Sequence, residues 1–568
     1  MPEKKSNYFL KTEKNITGWK IGGVYYLLAA ALLIKYPLQS AFPGQSDVIL
    51  YLAEFNYFIN NLSCWLLHHP NGLIMYPKGG MPLLGEPSYG SAIIYLLYKL
   101  MSLPDLWAYY FFLVTVFTLN SWSLYLLTLR VTNNNSAGFI SGLLLNFSCF
   151  IYANIDNQNA LVFFPTLLSL SFFLQYFITR NGKYFYSAAI LMALQIYFSS
   201  YFFVFGLIAY TVIFLWNLNQ LHQAIKEIKT ILPAMLLAMA IAAPFVWFYL
   251  LHSYIPNIYS VFCDLRALKT LSLSSSDFTK PLPGNLLYGS NKDAGTWIEL
   301  HHAAFMGFAY YIFAAIGFIS FKKQKWLLLI LCITGILIAL GPYIELKGRD
   351  MLLPLGYLYA KWPLFYKLKH LSRAFFITLI PLTMFAGYGI SKLYGLLPKV
   401  AFKNTFLVMS IIVVAIENTP ANLPVITRQF LLPPEGYLNY TQKQHNSVIL
   451  NLPSAMPMFP QYPAETANGI KNEYRYMYWQ TLNKQNTVNG ANGFLSEDRI
   501  ISDSLIAGLT SDSVLFELQR RTGFTHVIYL KHIQGDENIR LYLTKTRLLI
   551  KQMETGDFII YAQNACTK

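Results

Sequence analysis

The sequence predicts an all-α polytopic membrane domain of about eleven helices, and up to thirteen, followed by a small C-terminal extracytoplasmic α/β domain. Three observations predict it. The 568-residue chain is 55% hydrophobic and only 12% charged, whereas soluble domains carry about 25% charged residues. Its apolar residues gather into runs of roughly 17–25, the length that crosses a hydrocarbon core of about 30 Å. Beyond residue 418 these runs stop, and short β-type stretches replace them.

The first run, 18–38, follows the basic segment MPEKKSNYFLKTEKN and has no small-residue cleavage site, so it reads as a retained span with a cytoplasmic start. Further runs lie at 106–129, 136–155, 160–179, 184–200, 201–217, 230–252, 303–321, 326–342, 374–391 and 401–416. The basic connectors test the count. With eleven spans and an inside start, Arg130, Arg180 with Lys183, Lys226 with Lys229, Lys322 to Lys325 and Lys392 to Lys403 all fall in the cytoplasm. That parity makes 39–105 one long external loop in which 88–103 is interfacial or re-entrant. It also places outside the turn at 156–159, the loops 253–302 and 342–373, and the tail. The domains are therefore 1–417 in the membrane and 418–568 outside it. In the tail, Val448–Leu452, His526–Leu530 and Asp557–Tyr561 read as strands and Asp512–Thr522 as a helix.

The formal net charge of +16 lies mainly in short connectors and in the tail, which is a topological signal and not a nucleic-acid footprint. The five cysteines show no CxxC pair and no zinc spacing. Cys64 and Cys263 both fall on the expected external side, where a disulfide is open to geometry although spacing does not set connectivity.

Candidate chemistry gathers on the external face. In GQSDVILYLAEFNYFINNL, Asp47 and Glu54 lie seven residues apart, on one face if the stretch is helical. Asp47 also suits the cap of an interfacial helix, and the two roles are compatible. NGLIMYPKGGMPLLGEPSYG, with Tyr76, Lys78 and Glu86, is a turn-rich loop of the kind that lines a cavity. Asp156 in the turn Asp156-Asn157-Gln158-Asn159 is either a second carboxylate or a simple turn residue. In the 342–373 loop, Lys347, Arg349, Lys361, Lys367, Lys369 and Arg373 face only Glu345 and Asp350. So many cations on the external side suit either an anionic ligand or lipid headgroups. In WIELHHAAF, Glu299 and His302 could join Asp47 at a divalent metal, although an interfacial His more often packs through a hydrogen bond. Within the runs, Gln195 and the Gly387/Gly389 pair are the polar or small features, and helix packing accounts for them as well. Nearly charge-free spans argue against an ion-coupled transporter.

The Asp in the first external loop, the aromatic-rich interfacial helix, the YPKG turn and the stretch KLKHLSRAFFITLIPLTMFAGYGI together resemble the bacterial GT-C-type membrane glycosyltransferases. YRYMYWQTLNKQNTVNGANGF, at Tyr474–Phe494, looks like tail domains of that group. The resemblance implies a GT-C-like fold in a bacterial inner membrane. It also implies transfer of a sugar from a polyprenyl-phosphate-linked donor to an external lipid or cell-envelope glycan. On that basis Asp47 is the catalytic carboxylate, as base or as ligand of a Mg or Mn ion, with Glu54 and Glu86 supporting it. Tyr76, Lys78, Asp156 and Gln195 would line the substrate site, and Lys367, Lys369 and Arg373 would hold the donor phosphate. Many relatives carry a His where this chain has the Asp156–Asn159 turn. Two other readings stay open: a lipid-linked saccharide transporter, and a non-catalytic scaffold acting through its tail.

Overall fold

A computed structural model describes residues 18–61, 88–218, 228–253, 258–260, 265–282, 284–288, 302–346, 349–361, 368–420, 423–444, 446–454, 463–490, 494–533 and 537–564. Every predicted run contains a helix. Among the described residues, seven helices are long and apolar enough to cross a membrane: 18–38, 105–132, 135–153, 158–179, 228–247, 371–396 and 400–418. Ser200–Trp216, Phe308–Ser320 and Lys325–Ala339 are apolar but shorter, and Gly182–Gln195 has 14 residues. The chain is thus a multi-pass integral membrane protein. Tyr89–Leu100, with 12 residues, reaches only about 18 Å at 1.5 Å per residue, short of a hydrocarbon core of about 30 Å.

Two of the basic connectors are tight turns. Asn133 and Arg180 end their helices in the left-handed region, and Asn134 and Asn181 then cap the next ones, accepting from the N–H of Ala137 at 2.9 Å and of Lys183 at 3.0 Å. Such compact reversals force neighbouring helices to lie antiparallel and side by side. Phe375–Leu396 is the hub, buried along most of its length. Gly389 lets it press on Phe308–Ser320, where an added Cβ would strike the Phe313 carbonyl. Gly387 likewise admits Ala137 and Ser141 of Asn135–Asn146. Here the small residues serve helix packing.

Three pairings join segments that are distant in sequence. Ala41–Pro43 runs antiparallel to Val425–Thr427, and Ile258–Ser260 to Phe494–Ser496. The helix Asp47–Asn60 packs along Pro463–Asn483. Strands cannot pair across hydrocarbon, so the first loop, part of the 253–302 loop and the tail share one side of the membrane.

The tail builds a five-stranded mixed sheet in the order Leu549–Glu554, Phe558–Gln563, His526–Leu530, Val448–Leu452 and Asn486–Thr487. The first three are antiparallel; Val448–Leu452 joins His526–Leu530 in parallel, and Asn486–Thr487 joins Val448–Leu452 in parallel. Val448–Leu452 is buried on both faces, as suits a central parallel strand. Pro463–Asn483 crosses from this strand to Asn486–Thr487 and carries the sheet onto the first loop.

Candidate active site

The site forms where the first loop meets the turn between the 135–153 and 158–179 helices. Ser46 is the N-cap of Asp47–Asn60 but its side chain makes no capping bond, and Asp47 opens the first turn. An acidic residue there is favoured by the helix dipole. Asp47 is therefore not the cap, and its carboxylate accepts from Asn157 Nδ2 at 2.9 Å. Asn157 Oδ1 in turn accepts from the Tyr51 hydroxyl at 3.0 Å. Tyr51 lies four residues beyond Asp47, on the same helix face.

The Asp156–Asn159 turn, far from being an exposed loop tip, is buried throughout. Gln158 Nε2 donates to the Tyr109 hydroxyl at 2.7 Å, and the Asn159 carbonyl accepts from Ser199 Oγ at 2.6 Å. Asp156 accepts from the Gln45 N–H at 2.7 Å. Gly44, at φ +109°, lets the backbone approach closely, since a Cβ there would overlap the Asp156 side chain. Burial, and then the Asp47 charge, push the Asp156 carboxyl up to about 7, while the Gln45 N–H and Arg373 pull the other way. Two carboxyl groups are thus electrostatically coupled, with Arg373 within reach.

Arg373 lies in the 3-10 turn Leu371–Ala374 that opens the hub helix, and it is 4% exposed. Its guanidinium stacks over Tyr201 at 4.6 Å, and Tyr201 meets the His370 ring edge-on at 6.2 Å. Arg373 Nε has no hydrogen-bond partner among the described residues. A buried guanidinium with an unmet donor suits an anion. Lys369, close by in sequence, is also buried.

Glu54 is partly buried on the Asp47–Asn60 helix, and the Tyr474 phenol feels both Glu54 and Asp47. Gln195 bonds to main chain. Its Oε1 accepts from the Thr166 N–H at 3.1 Å and its Nε2 donates to the Val162 carbonyl at 3.0 Å. These are backbone groups left over where the 158–179 helix breaks, so Gln195 satisfies main chain there. Of the expected metal set, His302 lies among the described residues with Asp47. His302 places Nε2 on the Thr270 carbonyl at 2.8 Å and Nδ1 on Asp277 at 3.2 Å. No group of three or more His, Cys, Asp or Glu suited to a metal occurs among the described residues. Glu86, Tyr76, Lys78, Lys367 and Glu299 lie outside the described residues, as do Cys64 and Cys263.

Reading the sequence alone missed Tyr51, Tyr109, Tyr201 and Tyr474 as neighbours of these groups. Tyr51 was findable from its spacing to Asp47. The others come from elements far apart in sequence and carry no local signal.

The mycobacterial arabinofuranosyltransferase AftD superposes with a TM-score of 0.57 over 96% of this chain, at 12% identity. The chain has the GT-C-type membrane glycosyltransferase fold. The chain spans 41% of the AftD chain. A family model described as dolichyl-phosphate-mannose-protein mannosyltransferase matches residues 86–248. The archaeal oligosaccharyltransferase AglB from Archaeoglobus fulgidus, in complex with an inhibitory peptide and a dolichol-phosphate, has a TM-score of 0.48 and 13% identity, covering 97% of this chain and 74% of its own. ArnT from Cupriavidus metallidurans, bound to undecaprenyl phosphate, also has a TM-score of 0.48, at 10% identity, covering 97% and 99%. Among curated proteins no similar sequence is found.

Proposed function

We propose that this protein transfers a glycosyl unit from a polyprenyl-phosphate-linked donor to an acceptor hydroxyl on the extracytoplasmic side of a bacterial inner membrane. The acceptor class is a lipid or a cell-envelope glycan. One observation carries the reading: the coupled carboxyl groups of Asp47 and Asp156 lie within electrostatic reach of a buried guanidinium, Arg373, whose Nε is unpaired. The family match over 86–248, which contains Asp156 and Asn157, supports it.

Transfer breaks the bond between the anomeric carbon and a phosphate oxygen and forms one to the acceptor oxygen. The acceptor proton goes to Asp47, which acts as base. Charge grows on the departing phosphate, and Arg373 and Lys369 oppose it in a site shielded from water. Asp156, pushed up to about 7, is partly protonated near neutrality, which lessens its repulsion of the Asp47 carboxylate. Asn157 fixes the Asp47 carboxylate, and Glu54 adds negative potential. No step is assigned to a divalent cation, because the described residues do not gather a ligand set.

Apolar side chains follow on the hub helix: Phe376, three residues beyond Arg373, then Ile377, Ile380, Pro381 and Met384 line a small apolar pocket with Leu170 and Leu174. A phosphate on Arg373 would leave its hydrocarbon tail beside these side chains.

The test is mass detection of product from a panel of short-chain polyprenyl-phosphate sugars, with wild type and Asp47→Asn purified in detergent. Product from wild type alone supports glycosyl transfer. Lipid movement across vesicles without product, insensitive to Asp47→Asn, assigns the protein to transport. Loss of function on deleting the tail, with Asp47→Asn silent, assigns it to scaffolding.

A further inference from the structure

We propose that Tyr474, carried on the tail helix Pro463–Asn483, is a positioning residue of the Asp47 site, so that the C-terminal part of the chain completes the site. The inference rests on the reading of Asp47 as base.

Helix register carries it. The Thr481 carbonyl accepts from Asn60 Nδ2 at 3.2 Å. One turn earlier, the Tyr478 hydroxyl donates to Asp105 at 2.6 Å, and Asp105 also accepts from Asn56 at 3.4 Å. Thr481 matches Asn60 and Tyr478 matches the level of Asn56, so the two helices run parallel. Tyr474, Tyr478 and Thr481 are spaced i, i+4 and i+7 and share one face. Seven residues back from the Asn60–Thr481 contact, the register therefore brings Tyr474 to Ala53 and Glu54.

The other side of this helix is clamped to the sheet. Glu473 is buried against Arg499 at 3.1 Å and accepts from the Gly490 N–H at 2.8 Å and from Ser454 Oγ at 2.7 Å. The Tyr476 hydroxyl donates to the Pro453 carbonyl at 2.8 Å. Held on both sides, the helix has little freedom to rotate Tyr474 away.

Burial, and then the charges of Asp47 and Glu54, hold the Tyr474 phenol well above its ordinary range. It is a neutral O–H group within electrostatic reach of both carboxylates. Asp156, Tyr109 and Arg373 are the other charged or titratable groups near Asp47. Loss of this donor would raise the proton affinity of the carboxylates it faces and loosen their orientation.

Tyr474→Phe removes only the hydroxyl. In the full-length protein it is expected to lower kcat about 10- to 100-fold, the effect of one hydrogen bond to a charged group, and to leave donor KM within about threefold. The acid limb of the pH profile should move upward, which loss of packing alone would not cause. Wild-type kcat and an unmoved limb in Tyr474→Phe, with Asp47→Asn inactive, overturn the inference while sparing the base. Activity in Asp47→Asn overturns the base, and a second measurement then decides Tyr474 independently. In a background lacking the native cysteines, the pair Glu54→Cys and Tyr474→Cys should join through a short bifunctional maleimide as readily as Asn60→Cys and Thr481→Cys. Failure of the first pair where the second joins overturns the juxtaposition.

Discussion

Asn157 donates its side-chain N–H to the Asp47 carboxylate at 2.9 Å across 110 residues of sequence. One amide therefore sets the carboxylate's direction and, through its other atom, holds Tyr51. Asn157→Ala should lower kcat about 10- to 100-fold, since a hydrogen bond to a charged group contributes about 1.5–3 kcal/mol. Steady-state turnover with an unchanged elution profile checks this.

Asp156 gives stability a pH dependence. Its folded value, about 7, lies above the unfolded value of about 3.9, so the fold favours the protonated form. Its contribution is fully present below about pH 4 and is lost as pH rises through about 7. Thermal unfolding in detergent should show Tm falling over that interval, and Asp156→Asn should flatten the fall.

The pair His302 and Asp277 acts in the opposite sense on its acidic side. Burial alone would raise Asp277, but the His302 hydrogen bond and the Ser274 N–H bring it below its usual value. Burial alone would likewise lower His302, but Asp277 and the Thr270 carbonyl raise it. The Asp277 contribution is present above about pH 4, and the His302 contribution is present below about pH 6.5 and fades as pH rises through its elevated folded value. His302→Ala should therefore destabilise most between about pH 4 and 6.5, as read from Tm against pH.

Gly44 is required twice over, by its φ of +109° and by the Asp156 side chain where a Cβ would sit. Gly44→Ala should destabilise by roughly 1–3 kcal/mol and free the Gln45 N–H from Asp156. A lowered Tm together with a shifted pH dependence of Tm checks both effects.

The membrane helices were legible because each apolar run is long and nearly charge-free. The strands Val448–Leu452 and His526–Leu530 were legible from their β-branched and apolar runs. Pro463–Asn483 was not, because much of PAETANGIKNEYRYMYWQTLN is polar and its burial comes from being held between sheet and first loop. Asp47 stood out by position. Asp156 stayed open between carboxylate and turn residue, because Asp-Asn-Gln-Asn has the composition of an exposed turn and is covered only when Gly44 and Gln45 fold over it. Gln195 stood out as a polar residue in an apolar run, but its bonds to the break in a neighbouring helix were not legible in the sequence.

The most direct test of the central claim separates binding from turnover in one set of preparations. Affinity for a short-chain polyprenyl phosphate and the rate of sugar transfer would be measured for wild type, Asp47→Asn and Arg373→Met. Asp47→Asn is expected to bind the lipid as wild type does but to form product at least about 100-fold more slowly, whereas Arg373→Met loses affinity. Transfer by Asp47→Asn within about threefold of wild type would contradict the claim.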